Sequence, residues 1–81
     1  MTEIEARSRA EASRATHGIS PECGVHHAER RYIEIGAKEP DEPAPSRDLL
    51  AWVVQFTNGR AWIELALDDE SGEVVRVERS R

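Results

Sequence analysis

The sequence predicts a small α+β domain in which an N-terminal helix packs on a four-stranded antiparallel sheet. Two observations predict this fold class. Residues 49–79 form three runs of alternating apolar and polar side chains, separated by turn sequences. Residues 3–16 are rich in Ala, Glu and Arg, which are good helix formers. With 81 residues, the chain has the length of one domain, residues 1–81.

The helix is predicted over residues 3–16. Thr2 and Glu5 have the spacing of a capping box, and Gly18 with Ile19 has the pattern of a C-terminal stop. A thin apolar stripe is expected to face the sheet, formed by Ile4, Ala12 and Ala15, with Ile19 beyond them. The alternative is a frayed helix that is mostly solvated.

The first strand is predicted over residues 29–35, with Tyr32 and Glu34 on one side and Ile33 and Ile35 on the other. Ser20 and Pro21 favour at most a short helical turn before it. A helix over residues 21–31 is the competing interpretation, because Val25, Ala28 and Tyr32 share helical spacing.

Residues 37–48 contain three prolines among charged residues. Proline at this density disfavours both helix and strand pairing, so we expect a mobile, exposed loop between two strands. A loop of about 12 residues is long for a small domain, and it is either functional or disordered.

The next two strands are predicted to meet at a two-residue turn, Asn58-Gly59. This register pairs Thr57 with Arg60, Gln55 with Trp62, Val54 with Ile63 and Trp52 with Leu65. One face of the sheet then carries the large apolar residues, which are Leu50, Trp52, Val54, Phe56, Ala61, Ile63, Leu65 and Leu67. The opposite face carries Val53, Gln55, Thr57, Arg60, Trp62, Glu64 and Ala66. We therefore expect a sheet with one buried face.

A second hairpin is predicted at residues 69–73, with a three-residue loop and Gly72 at positive φ. In that register Leu67 pairs with Val75 and Leu65 with Val77, so both valines join the apolar face. A four-residue loop would instead place Arg76 and Glu78 there, and it is rejected on that ground.

This arrangement resembles a PepSY-type domain, with its cystatin-like helix and sheet. The residues that carry the resemblance are Asp68, Ser71, Gly72 and Val74, together with the preceding hairpin at residues 56–59. It covers residues 49–78 and the helix in front. The resemblance implies a noncatalytic binding or inhibitory module and transfers no catalytic residue.

Cys23, His26 and His27, with His17 upstream, are the one cluster of soft metal-ligand types. Four ligands are needed for a structural zinc site, and adjacent histidines point in different directions, so we predict no metal site and no cofactor. The same residues lack an orienting third group for a Cys–His nucleophile, so no catalytic residue is predicted. The acidic residues 68–70 and 73 do not match an EF-hand loop, and we expect a solvated turn.

The predicted binding surface lies on the face opposite the main core and consists of Trp62, Val53, Gln55 and Glu64. An exposed tryptophan in a polar frame is typical of an interface hot spot. The alternative is that residues 37–48 or the segment around Val25 cover Trp62.

The composition narrows the expected class of partner and the expected cellular location. The net charge is −5, and its ten arginines and one lysine are scattered, so no nucleic-acid partner is predicted. No run approaches the roughly 20 apolar residues of a membrane span. The chain has one cysteine and no apolar leader at its beginning, so we expect a cytoplasmic protein unless a leader precedes it.

Together these features predict a noncatalytic protein-binding or inhibitory module, such as an immunity protein, which binds a protein partner or associates with itself as a homodimer. Its acidity would suit a basic partner. The alternatives are a small-ligand-binding accessory subunit and a Cys/His metal-binding protein.

Overall fold

The computed structural model describes residues 1–35 and 47–80. Along the chain lie α1 (Glu3–Ala12), β1 (Gly24–Ile35), β2 (Arg47–Thr57), β3 (Trp62–Asp68) and β4 (Val74–Arg79). The strands form one antiparallel sheet in the order β1-β2-β3-β4, and α1 packs on one face of it. The predicted α+β fold, with one helix on a four-stranded antiparallel sheet, is confirmed. We call the face under α1 the helix face and the opposite one the outer face.

The main core lies between α1 and the helix face. Its largest fully buried side chains come from the two central strands, namely Phe56, Leu65, Leu67 and Val54. Burying a side chain of this size contributes about 1.5–3 kcal/mol each. The two central strands therefore supply most of the apolar surface that α1 covers.

The start of α1 is fixed as predicted. The Glu5 N–H donates to Thr2 Oγ1, and the Thr2 N–H donates to Glu5 Oε1, both at 3.2 Å. The hydrogen bond from the Thr2 backbone lowers the pKa of the Glu5 carboxyl. This cap is therefore complete above the ordinary carboxyl pKa and is lost as the pH falls through the lowered pKa of Glu5.

The prediction of which α1 residues face the sheet is wrong. Ile4 is 81% exposed, and Ala12 and Ala15 are also exposed, whereas Ala6 and Ala10 are fully buried. Ala6 and Ala10 are one turn apart and share a face of the helix. Because Trp52 and Phe56 already fill the space above the sheet, the helix contacts it through its smallest side chains.

The segment after α1 closes the end of the core. The helix ends at Ala12, short of the predicted Thr16, and turns follow to Gly18. The Ser13 hydroxyl donates to the Arg9 carbonyl at 2.9 Å, a bond that competes with regular helix. Gly18 has φ of +63°, and the Ile19 N–H donates back to the Arg14 carbonyl at 2.9 Å. Gly18 therefore ends the turns after α1 and not the helix itself, and Ile19 folds back as predicted and is buried in the main core.

The first strand is longer than predicted, since β1 begins at Gly24 and not at residue 29. The helix over residues 21–31 is therefore wrong, and only a turn at Ser20 precedes the strand. A bulge between Val25 and His27 keeps β1 paired with β2 despite its irregular burial pattern. β1 forms a strand, despite the helical spacing of some of its apolar residues, because it pairs with β2 along its length.

The β2–β3 hairpin forms at the predicted place but in a shifted register. Thr57 pairs with Trp62, not Arg60, so the loop comprises residues 58–61. The reason is an Asn58 side-chain turn, because its Oδ1 accepts the N–H groups of Arg60 and Ala61, both at 2.9 Å. Each partner moves by two residues, so the side chains on β2 and β3 keep their predicted faces, whereas Arg60 and Ala61 lie in the loop and not on the sheet.

The hairpin between β3 and β4 has part of the predicted register. Gly72 has φ of +75°, and Leu65 pairs with Val77, as predicted. Leu67, however, pairs with Val74, because the ladder shifts at a bulge that includes Val75. It is Val74 that packs against the main core, while Val75 and Val77 are exposed at the sheet edge.

The predicted mobile loop over residues 37–48 falls largely outside the described residues. At its end, β2 already begins at Arg47, so residues 47 and 48 belong to the strand.

Gly72 is a turn residue whose substitution is expected to lower stability. Its positive φ strains any other residue, and a Cβ there would also displace the exposed end of the Arg9 side chain, which lies 2.6 Å away. We expect Gly72→Ala to lower the free energy of unfolding by about 1–3 kcal/mol in urea denaturation. Gly24→Ala is the matched control, because a Cβ at Gly24 meets nothing within 4 Å, and it should change that energy by less than about 0.5 kcal/mol. Equal losses would contradict this account.

The buried face of α1 is tested by two substitutions in one helix. Ala10→Leu forces a large side chain between α1 and the sheet and should cost about 1–3 kcal/mol of unfolding free energy. Ala12→Leu places the same side chain in solvent and should cost less than about 0.5 kcal/mol. A larger loss for Ala12→Leu, measured by thermal unfolding, would reverse the assignment of the two faces.

Candidate functional site

Three of the four predicted binding residues reach the outer surface. Trp62 begins β3, opposite Thr57 on the outer face, and is 38% exposed. Gln55 and Glu64 are directly opposite each other, and Gln55 Nε2 donates to Glu64 Oε2 at 3.4 Å. Both are half-buried. Trp62 therefore stands beside a polar pair, as the sequence predicts.

Val53 does not belong to this exposed surface. Only 3% of it is exposed, because it packs in a second buried cluster with Ile33, Ala51 and Ala66. These four residues lie on the outer face of β1, β2 and β3. The sheet is thus buried on part of both faces, which corrects the expectation of a single buried face.

A cleft opens beside Trp62 at one end of the sheet. Its volume is about 240 Å³. Four short segments line it, namely the turn after α1, the β2–β3 loop, the start of β3 and the end of β4. The lining residues are Gly18, Ile19, Ser20, Cys23, Asn58, Ala61, Trp62, Ile63, Arg79 and Ser80. The cleft combines an apolar floor with one cation.

Hydrogen bonds hold the walls of the cleft in place. The Trp62 N–H donates to Ser80 Oγ, and the Ser80 N–H donates to the Trp62 carbonyl, both at 2.9 Å. The Arg79 guanidinium donates to the His17 carbonyl, which ties the end of β4 to the turn after α1. The backbone on both sides of Trp62 is therefore anchored before any partner binds.

Arg14 closes the core behind the cleft. Its guanidinium carbon lies 4.8 Å from the centroid of the Phe56 ring, and Nη1 donates to the Ser20 carbonyl at 3.1 Å. Nη2 donates to Glu11 Oε1 at 3.0 Å, and the hydrogen bonding with Arg14 lowers the pKa of Glu11. The stabilisation from this pair is present above the ordinary carboxyl pKa and is lost as the pH falls through the lowered one.

The candidate metal ligands do not converge. Cys23 is a buried free thiol in the cleft wall, whereas His26 and His27 are exposed on β1. His27 Nε2 lies 3.3 Å from Glu29 Oε2. Over residues 1–35 and 47–80, no three His, Cys, Asp or Glu side chains are grouped so that they could hold a metal ion.

The acidic turn after β3 has a structural use. Asp68 Oδ1 accepts the N–H groups of Glu70 and Ser71, at 2.7 and 3.2 Å. Asp69 Oδ1 accepts the indole N–H of the buried Trp52 at 2.9 Å. Arg30 approaches the same carboxylate oxygen, with 4.0 Å between Nη1 and Oδ1. Two of the four carboxylates thus satisfy groups of the protein itself.

Sequence reasoning missed the residues that surround Trp62. The sequence pattern places Ile19 and Ile63 in the core alone and gives Arg79 and Cys23 no place beside the tryptophan. Only the shifted β2–β3 register and the fold of the turn after α1 bring them together. No pattern in the sequence predicts that these residues lie together around Trp62.

Val25, considered above as a cover for Trp62, lies elsewhere. It pairs with Phe56 and packs against the main core on the helix face. Of the two proposed covers, the other, residues 37–48, is largely outside the described residues.

Comparison with known proteins finds no protein-family model, no curated protein and no solved structure that matches the chain. The resemblance to PepSY-type domains therefore stays a prediction. Within residues 1–35 and 47–80, none of the helical segments has both the length and the apolar character of a membrane span.

The hydrogen bond between Trp52 and Asp69 should contribute measurably to the free energy of unfolding. Asp69→Ala removes the nearer and charged acceptor of a buried indole N–H and leaves the Met1 carbonyl at 3.2 Å, so we expect the free energy of unfolding to fall by about 1–2 kcal/mol. Glu70→Ala is the control in the same turn and should change it by less than about 0.5 kcal/mol. Both are measured by urea denaturation. If the two variants lose the same amount, the contact contributes nothing to stability.

Proposed function

We propose that this chain is a noncatalytic protein-binding module, and that Trp62 and the cleft beside it form its binding surface. The observation that carries the proposal is the exposed Trp62, which stands beside the Gln55–Glu64 pair on the outer face, at the end of the sheet where a cleft lined by Ile19 and Ile63 of the main core opens. Aromatic side chains in such a frame are the usual centres of protein interfaces.

The size of the cleft favours a protein over a small ligand. At about 240 Å³, it lies below the roughly 300–1,000 Å³ of typical small-molecule sites. That volume suits one inserted side chain of a partner. The anchored backbone on both sides of Trp62 reduces the ordering that binding would require.

The charge of the chain favours a basic partner. The net charge is −5, and Glu64 and Glu78 lie opposite each other on the outer face next to Gln55. Complementary charge accelerates association and disfavours wrong partners. An inhibitory or immunity-type module acting on a basic protein in the cytoplasm is the specific form of this proposal.

The noncatalytic part of the proposal is supported by the placement of the reactive side chains. Cys23 is buried, and no described hydrogen bond joins it to a histidine. A nucleophile needs a base within hydrogen-bond reach, which this arrangement does not provide.

Capture from the native lysate by the immobilised chain tests the binding surface. We expect Trp62→Ala to reduce the recovered partner at least tenfold, since hot-spot residues contribute about 2 kcal/mol or more. Ile4→Ala is the matched control, because it also removes an exposed apolar side chain but on α1, and its capture should equal that of the wild type. Equal capture by both variants, with unchanged melting temperatures, would remove Trp62 from the binding surface.

A further inference from the structure

The outer edge of β4 is an open strand edge. β4 is last in the sheet order and pairs with β3 on one side, and in the described part of the chain no strand pairs with its other side. Val75 and Val77 are exposed along it, at 38% and 36%. An open edge with apolar residues is a template for pairing with another strand.

The hydrogen bonds of β4 show which backbone groups point outward. The Ser80 N–H donates to the Trp62 carbonyl, so Trp62 and Ser80 form a hydrogen-bonded pair. Such pairs alternate along an antiparallel ladder, so the backbone groups of Glu78 and Arg76 point towards β3. Val77, between them, directs its N–H and C=O away from the sheet.

We propose that the outer edge of β4 pairs with β4 of a second copy of this chain, antiparallel, with Val77 opposite Val77 of the second copy. In this register the two outward-pointing valines exchange both hydrogen bonds. Arg76 then lies opposite Glu78 of the second copy, and the two-fold axis repeats that pair. Strand β4 is therefore complementary to itself in charge.

The charges on the outer face support this occupant. Glu78 lies directly opposite Glu64 on β3, a like-charge pair that is unfavourable in a sheet. Arg76 on the same strand approaches Glu78, with 3.3 Å between Nε and Oε1. The second copy adds another Arg76 on the open side of Glu78, so that each acidic pair faces two cations.

Another register of β4, and the corresponding pairing of two β1 edges, are less favourable because they bring like charges opposite each other. Moving the β4 register by one residue in each copy places Glu78 opposite itself. On β1, the corresponding arrangement of Glu29 opposite Arg31 places Arg30 opposite itself. The charge pattern therefore selects β4 and the register centred on Val77.

This pairing makes one continuous eight-stranded sheet and stabilises a small fold. A chain of 81 residues with a single cysteine has no internal disulfide and a small core. Trp62 lies on β3 and not on the β4 edge, so Trp62→Ala tests the proposed binding function and Val77→Pro tests the dimer separately.

Charge exchange across the two-fold axis tests the interface, with the mass in solution measured by light scattering over a dilution series. We expect the wild type to be a dimer at high concentration. Arg76→Glu and Glu78→Arg should each raise the dimer dissociation constant about tenfold or more, because each turns two attractive pairs into repulsive ones. The double variant R76E/E78R restores both pairs and should restore the dimer.

Val77→Pro gives a second test that spares the fold. Proline removes the outward N–H but no bond to β3, and it is tolerated at strand edges. We expect a folded monomer, with an unchanged circular dichroism spectrum, whereas Trp62→Ala should remain dimeric. A monomeric wild type at every concentration overturns the proposal. So does a dimer that persists in Val77→Pro, or a double variant that stays monomeric while folded.

Discussion

The pairing of β2 with β3 is the interaction on which the rest of the structure depends. These two central strands carry the fully buried Phe56, Leu65, Leu67 and Val54, and every other element packs against them or pairs with them. Their register is set by a local constraint, the Asn58 side chain accepting two backbone N–H groups of its own loop. A shift by one residue would turn the large apolar side chains away from α1, whereas a shift by two preserves their face.

The helix is short and makes its contacts through small side chains, so it depends on polar contacts at its two ends. Just before its start, the Met1 carbonyl accepts the indole N–H of Trp52 at 3.2 Å, and the Met1 ammonium lies 3.6 Å from Asp69 Oδ1 in the β3–β4 turn. Beyond its end, Arg14 lies over Phe56 and bonds the Ser20 carbonyl. Apolar burial by Ala6 and Ala10 alone is modest, and these contacts orient the helix over the core.

Two surfaces of the sheet are available to bind other molecules, and one is a cleft whereas the other is a strand edge. The cleft beside Trp62 is a concave site formed by side chains from four segments. The edge of β4 is a strand whose outward backbone groups and alternating charges suit another strand of the same sequence. Because Ser80 bonds Trp62 across β3 and β4, the two surfaces share a rigid frame, although their central residues, Trp62 and Val77, lie on different strands.

The sequence by itself determined the fold class, the capping box of α1, the turn at Gly18 and Ile19, and the face of each residue on β2 and β3. All of these follow from local chemistry or from the two-residue period of a strand. Tertiary structure decided what depends on distant partners. Pairing with β2 made a strand of residues 24–28, and the space above Trp52 and Phe56 selected Ala6 and Ala10 over Ile4. The burial of Val53 and the cleft at Trp62 also depend on distant segments, because each requires side chains far apart in the chain to meet.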